Sequence, residues 1–121
     1  MLGYVTLGTN NLVKSAAFYD ALAKEMGASR TIETEKFIAW GAPGSAMVFL
    51  IKPADGKPAT VGNGVMAALA AKDNAVVDRV YKLAMSLGGK DEGAPGDRGG
   101  GFYAAYFRDL DGNKLNVFHH G

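Results

Sequence analysis

The chain has 121 residues, 48% of them apolar, with 13 basic against 12 acidic side chains, 17 glycines, two histidines and no cysteine. This composition excludes a disordered or collagen-like chain, and the lack of cysteine excludes disulfide frameworks, Cys-based zinc or iron–sulfur sites and thiol nucleophiles. A net charge of +1 with scattered basic residues leaves no footprint for nucleic acid, no apolar run reaches the ~20 residues of a membrane helix, and the N-terminus lacks a signal-peptide pattern; the expectation is a cytoplasmic domain without nucleic-acid or membrane partners.

In chain order, residues 4–8 read as a short strand. Asn10 or Asn11 can cap the helix that follows, in which Leu12, Ala16, Tyr19, Leu22 or Ala23, and Met26 form one apolar stripe before Gly27 stops it. Strand-like pieces follow at 30–33, 36–40 and 46–52, then a polar linker at 53–63 with two prolines. Residues 65–71 are again strand-like, Asp73 can cap, and Val76, Val77, Val80, Leu83, Ala84 and Leu87 make the second stripe before Gly88 and Gly89. A short piece near Lys90 is poorly defined, and strands at 102–108 and 114–119 flank Asp109-Leu110-Asp111-Gly112-Asn113, the composition of a tight hairpin. An EF-hand is excluded there, because glycine is fourth rather than sixth and the twelfth residue is His120 rather than a bidentate Glu.

A shift of 62 residues lays Asn11 on Asp73, Tyr19 on Tyr81 and Gly27 on Gly89, each in the same role. The chain therefore reads as one α+β domain, 1–121, of two modules, 1–55 and 63–121, each a strand, a helix and two or three antiparallel strands. The helices lie on the outer face of curved sheets, and where the sheets curl toward each other their other faces line a shared cavity. Strand alternation assigns Tyr4, Thr6, Met47, Phe49, Met66, Ala68, Asn116 and Phe118 to the cavity side. The stretch 88–101 holds seven glycines without the GK[ST] of a phosphate loop. It absorbs a five-residue insertion, since Phe49 and Asn116 are 67 apart, and is a candidate lid, with Arg98 placed to clamp an anion.

Three segments, GYVTLGTNNLVKSAAFYDAL at 3–22, GNGVMAALAAKDNAVVDRVYKLAMSLGG at 62–89 and FYAAYFRDLDGNKLNVF at 102–118, together resemble the vicinal oxygen chelate superfamily of glyoxalase I, bleomycin-resistance proteins and extradiol dioxygenases. The resemblance implies paired βαβββ modules, a homodimer often formed by exchanged halves, and, in metal-dependent members, four inward ligands. Those positions fall on Tyr4, Phe49 (or Leu50, one step along), Met66 and Asn116. A phenol, a phenyl ring, a thioether and an amide do not make a set for zinc, nickel or iron, which needs imidazole, carboxylate or thiolate donors. The expectation is thus a homodimer that binds a small, largely apolar or aromatic molecule through Tyr4, Thr6, Phe49, Met66, Arg98, Asn116 and Phe118, with no metal and no cofactor. The alternative is a glyoxalase I-like enzyme drawing donors from Glu33, Glu35, Asp97, His119 or His120. The two histidines are sequence neighbours on a strand and point to opposite faces, so they do not chelate together. A purely structural module is a third reading, marked by a cavity filled with side chains.

Overall fold

In the computed structural model, which describes residues 1–121, the first half runs β1 (Tyr4–Gly8), α1 (Leu12–Glu25), β2 (Ser29–Glu33), β3 (Phe37–Gly41) and β4 (Met47–Ile51). The second half repeats the order as β5 (Ala67–Ala70), α2 (Asn74–Ser86), β6 (Lys90–Asp97), β7 (Phe102–Arg108) and β8 (Lys114–His120). The α+β class and the two βαβββ units are those expected. Each unit makes its own mixed sheet, β1-β4-β3-β2 and β5-β8-β7-β6, with only the β1–β4 and β5–β8 pairs parallel. No helix is long and apolar enough to cross a membrane.

Both helices start at a side-chain cap. Asn11, rather than Asn10, accepts the Lys14 N–H at 3.1 Å, and Asp73 accepts the Val76 N–H at 2.9 Å, so equivalent residues satisfy equivalent free donors. The registers are equivalent too: Thr6 pairs with Phe49 as Ala68 pairs with Asn116. Phe49, not Leu50, is therefore the counterpart of Asn116.

The glycine-rich stretch differs from expectation. Most of it is β6, an edge strand paired with β7 through two register shifts, at Asp91/Gly93 and Gly93/Gly96, which take up the inserted residues. Gly88 and Gly89, at the end of α2, and a turn at 98–101 remain outside the strands, with Gly99, Gly100 and Gly101 all at positive φ. Bulging glycines let an irregular sequence keep its ladder hydrogen bonds, so the candidate lid is mainly sheet. The strand expected at 65–71 is shorter, and Met66 sits just ahead of it.

One hydrophobic core joins the two units. Leu7, Ile38, Trp40 and Leu50 enter it from the first sheet, Ala105, Phe107, Leu115 and Val117 from the second, and both helices lie between, packed on each other. Phe18 lies outside the expected stripe of α1 yet is buried, because that flank of the helix meets Phe107 of the other unit at 6.4 Å between rings. Leu87, expected in the stripe of α2, is instead an exposed helix cap. With the helix-facing sides of both sheets in one core, the opposite face of each sheet is open in a single chain.

Candidate functional site

On the open face of the first sheet, Thr6, Phe49 and Ala39 form one row across β1, β4 and β3. The Phe49 ring lies between two others, 4.4 Å from Tyr4 and 5.3 Å from Phe37 in a near-parallel stack. Tyr4 is 54% exposed although Phe49 covers one side, and Thr6 is exposed beside it. Met47, paired with Tyr4 in the neighbouring row, accepts the Thr31 hydroxyl at 3.3 Å.

The second sheet repeats the rows with different chemistry. Ala68, Asn116 and Tyr106 form one, and Ala70, Phe118 and Ala104 the next. Phe118 stacks on Phe102 at 5.3 Å, and Met66, 43% exposed, leads into β5. Asn116 is only 1% exposed; its amide donates to the Ala105 carbonyl at 3.1 Å, so it lies beneath this face. Arg98 reaches back from the turn: its guanidinium lies 5.6 Å from the Tyr106 ring centre and donates to the Ala94 carbonyl at 2.7 Å. The sequence-selected residues thus fall into two groups on two separate faces, Tyr4, Thr6 and Phe49 on one and Met66, Arg98, Asn116 and Phe118 on the other. Sequence reasoning missed Phe37, Phe102, Tyr106 and Lys114. Lys114 had a legible signal, the parity it shares with Asn116 and Phe118, whereas placing Phe37, Phe102 and Tyr106 needed the register of their strands.

The Asp-Leu-Asp-Gly-Asn loop does more than turn the chain. Asp109 is 3% exposed and accepts the N–H groups of Asp111 and Asn113, the Asn113 amide at 2.9 Å, and the Tyr19 hydroxyl of the first unit at 2.5 Å. Asp111 accepts the Ser15 hydroxyl at 2.7 Å and the Asn10 N–H at 2.9 Å, while the Asn113 amide also donates to the Gly8 carbonyl. The hairpin is therefore a polar latch on the start of α1. Burial, first, and then the Asp109 charge push the Tyr19 hydroxyl well above its ordinary pKa. A groove of about 480 Å³ opens beside the latch, between the start of α1 and β2–β3, on the helix side of the first sheet. Its Arg30 is engaged by Asp20 at 2.7 Å and by Glu33, and the same guanidinium holds the Asp20 carboxyl below the usual carboxylate range.

A metal test can be made on the donors alone. The four side chains singled out in the sequence as counterparts of a ligand set, Tyr4, Phe49, Met66 and Asn116, offer a phenol, a phenyl ring, a thioether and an amide, which do not fit a divalent ion. The alternative donors are dispersed: Glu33 pairs with Arg30, Asp97 accepts the Gly99 N–H, His119 faces Asn74 at 3.0 Å and His120 faces the Gly100 carbonyl at 3.2 Å. No three His, Asp or Glu side chains converge into a metal-binding group.

Residues 1–117 match the sequence profile of the glyoxalase/bleomycin resistance protein/dioxygenase superfamily. The chain belongs to that superfamily. A glyoxalase/bleomycin resistance protein from Albidiferax ferrireducens T118 is 33% identical, with a TM-score of 0.94, over 100% of this chain and 99% of its own. Two more distant superfamily structures share the fold. One is a glyoxalase/bleomycin resistance protein/dioxygenase family enzyme from Burkholderia phytofirmans PsJN, 18% identical with a TM-score of 0.78 over 98% of each chain. The other is a lactoylglutathione lyase from Agrobacterium tumefaciens, 23% identical with a TM-score of 0.72 over 98% of this chain and 92% of its own. No curated protein sequence matches the chain.

Proposed function

We propose that this superfamily member binds a small, largely apolar or aromatic organic molecule, as a homodimer in the cytoplasm, without the divalent metal that other members use. The observation that carries the reading is the Tyr4–Phe49–Phe37 aromatic group on an open sheet face, two members of which, Tyr4 and Phe49, are positions that the family resemblance assigns to the site. A ligand pocket of this kind is concave, mainly apolar and fixed by a few polar groups. The exposed Tyr4, Val65 and Met66 are then covered in the dimer, where the open face of the first sheet meets the second sheet of another copy. By analogy with bleomycin-resistance relatives, the role is sequestration rather than turnover.

The neutral dye N-phenyl-1-naphthylamine tests the pocket. Its fluorescence should rise on binding, and Phe49→Asp should abolish the rise. Met66→Asp, at an exposed position outside the strands, should weaken binding by about tenfold through the cost of placing a charge against an apolar ligand. Binding unchanged in both variants would place the site elsewhere. Light scattering should give twice the 12.7 kDa chain mass. Stoichiometric zinc, nickel or iron in untagged protein, or chelator-sensitive turnover of methylglyoxal with glutathione, would overturn the metal-free reading.

A further inference from the structure

The two open faces differ in charge. That of β1, β3 and β4 presents Tyr4, Thr6, Phe37, Met47 and Phe49 and no charged side chain. That of β6, β7 and β8 carries Lys90, Arg98, Arg108 and Lys114, with Glu92 as its acidic side chain. Arg108 is matched by Glu92, both of its guanidinium contacts lying within 3.2 Å. Arg98 and Lys114 have no acidic partner: Asp91 accepts the Tyr81 hydroxyl and Asp97 the Gly99 N–H.

These two free cations flank one ring, Arg98 from the β6 side and Lys114 from β8. The Lys114 ammonium and the Arg98 guanidinium each lie 5.6 Å from the centre of Tyr106. Arg98 is also held in place. It lies along β6 over Gly93 and Gly96, where an added Cβ would stand 3.3 Å from Nη2 and 2.9 Å from Nη1 respectively, and the Ala94 carbonyl takes one of its N–H groups. Absent side chains on the strand thus provide the bed for a planar guanidinium whose remaining donors are free. A guanidinium so oriented loses little freedom on taking an anion. The stacked Phe102 and Phe118 continue the same face.

We propose that the ligand is an aromatic molecule bearing one anionic group, a carboxylate or sulfonate, which Arg98 and Lys114 take beside the Tyr106 ring. The proposal rests on the binding reading above and names the ligand class. Two dyes with one skeleton separate the claims: N-phenyl-1-naphthylamine is neutral, and 8-anilino-1-naphthalenesulfonate adds a sulfonate. Arg98→Ala and Lys114→Ala should each weaken the sulfonate dye by about five- to tenfold and the neutral dye by less than about twofold, as expected for a charge-assisted contact in partly screened surroundings. Lys82→Ala, on the exposed side of α2, should change neither. Raising salt from about 0.05 to 0.5 M should weaken only the sulfonate dye. Equal effects of Arg98→Ala and Lys114→Ala on both dyes overturn the anion assignment and leave the pocket standing. Binding of neither dye, or binding indifferent to both Phe49→Asp and Met66→Asp, overturns the pocket itself and the assignment with it.

Discussion

Replacing Asp109 by Ala removes the centre of the latch between the two units. Four donors lose their acceptor: the Tyr19 hydroxyl, the Asn113 side-chain amide and the N–H groups of Asp111 and Asn113. The site is buried, so water replaces only part of what is lost. Each buried donor left unsatisfied costs about 1–3 kcal/mol, but the Asn113 amide retains the Gly8 carbonyl and the Asp111 N–H is only partly buried. The expected loss is about 3–5 kcal/mol, comparable to breaking a buried charged pair. Against the roughly 6–18 kcal/mol that a chain of this size holds, that is a large fraction. Tyr19→Phe alone should cost about 1.5 kcal/mol, because the carboxylate keeps its other donors. In the double variant the Tyr19 penalty should vanish, giving a coupling of about 1–2 kcal/mol. Urea titrations followed by the fluorescence of Trp40, the chain's one tryptophan, measure all four proteins. A loss below about 1 kcal/mol for Asp109→Ala, or strict additivity of the pair, would refute the latch as a stabilising element.

Two pH effects follow from the same network and its neighbour. The Tyr19 hydroxyl is raised by burial and by Asp109, so its contribution is complete below the unfolded value near pH 10 and falls as pH climbs through the raised one. Alkaline unfolding of the parent should therefore steepen above about pH 10, while Tyr19→Phe lacks that component. The Asp20 carboxyl is lowered, foremost by its hydrogen bonds from Arg30, with Trp40 Nε1 also donating at 2.8 Å. Its contribution is present above the unfolded value of about 4 and is lost as pH falls through the lowered one. Asp20→Asn should cost about 0.5–1 kcal/mol at pH 7, the range of a solvent-screened pair, and progressively less as the pH falls below about 4, as measured by urea midpoints. A difference that does not shrink on acidification would assign the effect to packing instead.

Most of the architecture was legible in the residues themselves because it is local. Asn11 and Asp73 as caps, the helical stripes, the Asp109–Asn113 hairpin and the 62-residue shift all depend on neighbours a few positions away, and repetition doubled each signal. Strand parity likewise placed Tyr4, Thr6 and Phe49 on one side of a sheet, since successive side chains must alternate. What needed the tertiary structure was everything set by partners distant in sequence. Phe18 is buried only because a second unit packs on the far flank of α1, and Asp109 is a latch only because Tyr19, ninety residues away, reaches it. The glycines of β6 read as a loop from composition, whereas pairing with β7 turned them into a bulged strand and laid Arg98 across them. The sequence by itself determined the two units, the family and the shortage of His and Cys donors. Tertiary structure decided that the selected side chains divide between two sheet faces, one neutral and aromatic and one carrying unpaired cations with Asn116 buried beneath it, because which face a sheet presents depends on what covers its other side.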